Sequence, residues 1–376
     1  MARLTELWSG LSPVARRGIV AGGVGASAVA LVAAVALSGG SEEPEAAPKP
    51  TTTTSTTTTT AVVTTTTEPQ TGPIAPLTGL RVEDGFLLLR PALAVKVDNL
   101  DAPSETAVPQ SGLPRADVVF EEVVEGNITR LVAVFHSQQP GRVGPVRSAR
   151  TTDVELLPQL VEPLLAWSGG NEGVTGAVRS SPWIIDAGWD QAPGSYARDS
   201  SRRAPHNLYA QGDELWQLAP EGTPTPRALF RYRTSGQEMP STAQPSQGVD
   251  ISWGSGGAVA PVSWRWDGDL RLYVRTQRGK LHKDEDGTVL TARNVVVMAT
   301  EYGQSAADSR SPEAKTVGSG ELFVFTNGRV IHGRWDRPDI TRPAALTDDE
   351  GNTILLSPGQ TWVELPRPGS TSAITG

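Results

Sequence analysis

The sequence contains no cysteine. That excludes disulfides, thiolate metal sites and thiol nucleophiles, and it leaves no residue to carry an N-terminal lipid. Any attachment to a membrane must then be polypeptide. There is no basic excess either: 33 Lys and Arg against 41 Asp and Glu give a net charge of -8. A dedicated nucleic-acid binder carries a basic surface to neutralise phosphates, so no nucleic-acid partner is expected. Metal and cofactor patterns are missing as well. Asp284, Asp286 and Gly287 echo a calcium loop, but the terminal bidentate Glu is absent, and a surface turn is expected there instead. With 39 Gly and 30 Pro, the chain is rich in turns and poor in long helical patterns.

One long apolar run is present. Residues 18–37 carry no charge and have about the length a helix needs to cross hydrocarbon. Arg3, Arg16 and Arg17 precede it and Glu42, Glu43 and Glu45 follow, a bias that places the N-terminus (1–17) in the cytoplasm and the rest outside. We read an uncleaved membrane anchor. The alternative is a cleaved export signal, with the Arg16-Arg17 pair before the run and a cleavage site near residues 36–38. Residues 38–74 then turn to Glu, Pro, Ala and a nearly pure Thr tract, too poor in apolar surface to offset the entropy of ordering. They read as a disordered stalk, either glycosylated or a plain spacer.

Beyond the stalk we expect an α+β protein: a mixed α/β N-terminal domain over 75–244 followed by a smaller, mostly-β C-terminal domain over 245–376. Residues 92–98 alternate as a strand, with Leu93, Val95 and Val97 on one face and Ala94, Lys96 and Asp98 on the other. The β-rich runs 116–124 and 129–136 flank Glu125-Gly126-Asn127, a hairpin turn. Thr152 and Glu155 have capping-box spacing ahead of an apolar helix face ending at Leu165, interrupted by Pro158 and Pro163. Residues 238–248 read as a linker or a long loop. After it come the strands 262–266, 270–275, 295–299, 321–325 and 330–335, with an Asn327-Gly328 turn between the last two. Trp253, Trp264, Trp266, Trp335 and Trp362 concentrate in this part. They fill a small β core or, on the sharper reading, form a carbohydrate-stacking platform.

Two polar stretches carry the candidate chemistry. PGRVGPVRSAR (140–150) projects Arg142, Arg147 and Arg150 from a short span ahead of the expected helix, where free N–H groups and guanidinium charges together suit a phosphate or carboxylate. The competing explanation is internal pairing with Glu121, Glu122 and Glu125. YARDSSRRAPHNLY (196–209) brings Arg198, His206 and Asn207, and His206 is one of only four histidines. General-base work by His206 is conceivable, although no Ser-His-Asp triad can be assembled. Asn127-Ile128-Thr129 fits a glycosylation pattern too short to carry weight.

RPALAVKVDN (90–99), ADVVFEEVVEGNITRLVAVF (116–135), GPVRSAR (144–150) and APHNLY (204–209), followed by GSGELFVFTNGRVIHGRWDR (318–337) and LLSPGQTWVELP (355–366), resemble the YerB-like bacterial lipoproteins. The resemblance spans nearly everything after the stalk. It implies an envelope location and two domains, and it supplies no reaction. The chain departs from the lipoprotein pattern in lacking the Cys to acylate, so the apolar segment has to replace the lipid.

The resulting expectation is an extracytoplasmic binding protein for an anionic envelope ligand. Arg142, Arg147 and Arg150 would contact the anion, and Asp98, Glu122 and His206 would orient it, with Arg198 and Asn207 nearby. One alternative is an envelope hydrolase or a phosphoryl or glycosyl transferase using Asp98 or Glu122 as acid or base. Another is a protein-interaction module without a small-molecule site. The expected partners are the membrane, through the N-terminal helix, and an anionic cell-wall ligand.

Overall fold

The computed structural model describes residues 71–254 and 259–375. The expected membrane segment 18–37 and most of the stalk lie outside them. Among the described residues no helix is long and apolar enough to cross a membrane.

The three longest strands of the N-terminal half are β1 (Leu93–Asp98), β2 (Val118–Val123) and β3 (Thr129–Phe135). β2 and β3 are antiparallel, and β1 lies antiparallel on the other side of β3. The turn between β2 and β3 needs a left-handed residue, and Gly126 supplies it with φ 69°. The alternation read for β1 holds, but both of its faces are covered. Leu93, Val95 and Val97 enter one apolar core and Ala94 enters the other, while Lys96 and Asp98 are buried and not solvated. Runs that are apolar on both faces belong to sheets packed on two sides.

The apolar run through Leu165 does not form one helix. The helix is Thr151–Leu156, a 3-10 turn follows at Leu157–Leu160, and Leu164–Ala166 is a strand parallel to β1. Pro158 and Pro163 remove the backbone donors a longer helix would use. The Thr152/Glu155 capping box is also not formed. Arg150 is the N-cap and its N–H donates to Asp153 at 2.7 Å. Glu155 instead accepts from the backbone N–H groups of Thr316 (2.7 Å) and Val317 (2.9 Å).

The C-terminal half is dominated by strands, as expected. Val262–Asp267 and Leu272–Gln277 form a hairpin. Gly318–Thr326 and Arg329–Arg337 form another, turned by Asn327 and Gly328 with φ 52° and 73°. The residues read as a linker up to Gly248 include the start of a strand, Gln244–Ile251, which pairs with three neighbours. Its Pro, Ser and Gly content is that of a turn, and long-range pairing overrides it. Trp253, Trp264, Trp335 and Trp362 are at most 2% exposed, so they fill the core and do not present a stacking platform.

The two halves share one sixteen-stranded sheet. Its seam is the strand Thr361–Leu365, which lies parallel to β2 on one side and parallel to Asn294–Met298 on the other. The sheet curls back so that the hairpin Val262–Gln277 packs against this seam. The seam register sets Glu121 directly beside Glu364, and both are fully buried. Arg275, also fully buried, donates to Glu121 at 2.6 Å. Trp264 Nε1 donates to Glu364 at 2.7 Å, and the Arg275 guanidinium lies 4.9 Å from the Trp362 ring. One cation faces two carboxyl groups. Burial and the neighbouring Glu121 push Glu364 well above its ordinary value of 4.5, against the pull of Arg275, so Glu364 holds a proton while Glu121 pairs with Arg275.

The folded state therefore binds the Glu364 proton more tightly than the unfolded chain does. This stabilisation is complete below 4.5 and is lost as pH rises above it. Glu364→Gln keeps the hydrogen-bonding shape without titrating. Urea unfolding across pH should show a shallower alkaline decline for the variant than for the native protein. Equal slopes would mean that the pair does not share a proton in this way.

Candidate functional site

The end of β1 is where the polar sequence stretches meet. Asp98 faces Arg130 across the β1–β3 register, and Arg130 faces Glu122 across β3–β2. The loop 140–150 runs beside β1: Asp98 N–H donates to Pro145 O at 2.8 Å, and Arg147 N–H donates to Lys96 O at 2.9 Å. Val146 N–H in turn donates to Leu208 O at 2.6 Å, which draws residues 206–209 alongside. Gly144 is required at this crossing, because a Cβ there would come within 2.9 Å of Leu208 O and the Tyr209 ring.

This layering puts three of the expected side chains on one carboxylate. Asp98 Oδ2 lies 2.6 Å from His206 Nδ1 and 2.9 Å from Arg147 Nε. Its other oxygen accepts from Leu100 N–H at 3.2 Å. Burial alone would raise Asp98, but the His206 hydrogen bond and the Arg147 charge outweigh it and hold the acid below 3.8. His206 Nε2 meets Glu105 Oε1 at 3.1 Å. The Arg147 side chain is 21% exposed, and its terminal Nη groups have no hydrogen-bond partner among the described residues.

Two more arginines crowd the same region. Arg130 is buried and donates to Ser148 O at 2.9 Å. Burial first, then the charges of Arg150 and Arg147, lower it to about 10. Arg150 forms a two-pronged pair with Glu125, at 2.6 and 2.5 Å. Burial opposes ionisation of Glu125, yet the hydrogen bonds from Arg150 and Ser311 hold it down at about 2.

The remaining expected residues lie apart from this group. Glu122 is fully buried and paired with Lys96, which also donates to Asp153 at 2.7 Å. It therefore cannot orient a ligand beside Arg147. Burial raises Glu122, more than the Lys96 charge lowers it. Arg142 is held elsewhere, at Asp199 (2.8 Å) and Glu285, with its guanidinium 3.4 Å from the Tyr209 ring centroid. Two carboxylates already neutralise it. Arg198 donates to the Asn207 side chain at 2.8 Å and stacks on Trp189 at 4.7 Å. Asn207 donates to Asp199 O at 3.2 Å and Arg202 O at 3.3 Å, closing the turn that presents His206. The turn expected at Asp284 is not wholly at the surface: Asp284 is buried and accepts from Gly112 N–H at 3.1 Å.

Sequence reasoning missed Lys96, Glu105, Arg130 and Asp153. Arg130 was within reach, because strand alternation places it on the same side of β3 as Val132. Glu105 sits in a loop that carries no pattern.

Lys96 is the only cation bonded to the Glu122–Asp153 carboxylates among the described residues. Lys96→Met should therefore leave buried charge uncompensated and cost about 3–5 kcal/mol, measured as the loss of unfolding free energy in urea. A cost below about 1 kcal/mol would show that the triad is not held as described.

Residues 77–225 match the family described as protein of unknown function (DUF3048), N-terminal domain, and residues 249–363 match its C-terminal domain. The "Putative lipoprotein YerB" of Bacillus subtilis (strain 168) is 28% identical over 300 residues, which are 77% of this chain and 85% of that protein. The crystal structure of YerB protein from Bacillus subtilis is similar with a TM-score of 0.67 at 26% identity, covering 80% of this chain and 98% of that one.

Proposed function

The chain belongs to the YerB-like family, with both DUF3048 domains, and from that premise we propose a membrane-associated, extracytoplasmic envelope protein that binds an anionic ligand at Arg147. The description of its Bacillus relative as a lipoprotein supports the location. In this chain the apolar segment 18–37 would take the place of the lipid.

One observation carries the binding reading. The Arg147 guanidinium is drawn by charge to a buried, ionised Asp98, with Nε 2.9 Å from Oδ2 but without a hydrogen bond to it, while its terminal amines are unpartnered and reach solvent. A guanidinium held on one edge and free on the other is set up to receive a phosphate or carboxylate on two parallel N–H groups. Arg130 adds positive potential, Arg150 being neutralised by Glu125, and His206 closes one side. The Asp98–His206 hydrogen bond is also the arrangement that orients an imidazole as a general base. Here Nε2 faces Glu105, and no hydroxyl is hydrogen-bonded to His206 among the described residues. The geometry thus favours recognition over hydrolysis.

Thermal unfolding of the full-length protein tests this against pyrophosphate, a sugar phosphate and a muropeptide. A ligand at about 100 times its Kd should stabilise by about 2.7 kcal/mol. Arg147→Ala should abolish the shift, whereas Arg142→Ala should keep it. No shift with any of these, together with a strongly destabilised Arg147→Ala, would mark the arginine as structural and turn the search to protein partners.

A further inference from the structure

A second opening lies on a different side chain set. It is a groove of about 410 Å³ between the turn 124–127 of the N-terminal half and, from the C-terminal half, the hairpin of Tyr302–Gln304 and Pro312–Ala314 together with Arg367. Arg147, Asp98, His206, Arg130 and Arg150 do not line it; of that region only Glu125, the partner of Arg150, reaches its wall.

Of the two cations lining it, Arg310 pairs with Asp308 at 3.5 Å and Arg367 is the one left without a carboxylate. This guanidinium lies 4.8 Å from the Tyr302 ring centroid and has no ion pair or hydrogen bond among the described residues. The ring beneath it is fixed: Tyr302 OH donates to Leu365 O at 2.7 Å and accepts from Val123 N–H at 3.1 Å. A stacked guanidinium keeps its donor edge free and loses little freedom on binding. The acids nearby are already engaged. Glu125 is tied to Arg150 and Ser311, and Asp308 accepts from Arg310 N–H at 3.0 Å and from Ser311 Oγ at 3.1 Å. The groove thus favours an anion.

Its remaining polar groups are of the kind that read hydroxyls. The side-chain amides of Asn127 and Gln304 and the Ser309 hydroxyl line the groove, and none has a hydrogen-bond partner among the described residues. Each amide offers both donors and an acceptor, as a sugar hydroxyl requires. At Gly126 a Cβ would meet nothing within 4 Å, so the wall is open there.

We propose that this groove binds an anionic saccharide, a sugar phosphate or a uronate, with Arg367 on the charge and Asn127 and Gln304 on ring hydroxyls. The site is assembled from both halves of the chain and does not depend on the Arg147 reading.

Calorimetric titration of the full-length protein with glucose 1-phosphate, glucuronate, glucose and inorganic phosphate tests it. At least one of the two anionic sugars should bind, and more tightly than both glucose and inorganic phosphate; which one binds tells phosphate from carboxylate as the anchor. Arg367→Ala should weaken that binding by about tenfold or more, the loss expected for a hydrogen bond to a charged group. Asn127 has φ 57°, so Asn127→Gly removes its amide without strain and should weaken binding while the unfolding temperature stays near the native value. Three results would overturn the proposal: no binding of either anionic sugar, inorganic phosphate binding equally well, or loss of binding in Arg147→Ala with Arg367→Ala unaffected.

Discussion

The parallel pairing of Thr361–Leu365 with β2 is the constraint on which the rest of the molecule depends. A strand near the C-terminus closes what would otherwise be an open edge of the N-terminal sheet and carries the sheet on into the C-terminal half. Parallel neighbours cannot be joined by a tight turn, so the chain between β2 and this strand has to cross over before returning beside it. It also explains why two regions with different composition form a continuous core. Val95, Val119 and Leu131 share an apolar cluster with Trp264, Tyr273 and Trp362.

Burying both faces of that sheet forces its charges into internal groups. Glu121 and Glu122 are adjacent in sequence and point to opposite faces, so each has to find its own cation. Glu121 takes Arg275 and Glu122 takes Lys96. Removing such charges from water costs several kcal/mol per ion and is recovered only where the partner geometry is good. Glu364, left without a cation of its own, keeps a proton instead. The two groups are built differently, one bridging β1, β2 and the helix Thr151–Leu156, the other bridging β2 and Leu272–Gln277 beside the seam.

The Arg147 site follows from this arrangement. Asp153 accepts from both Lys96 and the Arg150 N–H, so the buried triad also sets where the loop 140–150 ends. The same loop is pinned to β1 through Pro145 and Arg147. The partly exposed Arg147 guanidinium therefore stands on a loop anchored at both β1 and the buried triad.

Local pattern alone was enough for β1, β2, β3, the Asn327-Gly328 turn and the two long hairpins and Asn294–Met298 of the C-terminal half, because side-chain alternation and turn chemistry are short-range properties; it did not reach Gln244–Ile251 or the seam strand Thr361–Leu365, whose pairing is long-range. The lack of cysteine, the apolar segment and the Thr tract likewise follow from composition. What the sequence could not decide was which carboxylate each arginine meets. Arg142 and Arg147 lie five positions apart in one loop, yet one is neutralised by Asp199 and Glu285 while the other is left half open beside Asp98. Glu105, Arg275 and Glu364 carry no local signal, since their partners are brought together only when distant strands pair. Secondary structure was legible because it depends on neighbours in the chain, whereas ion pairing and the open grooves depend on neighbours in space.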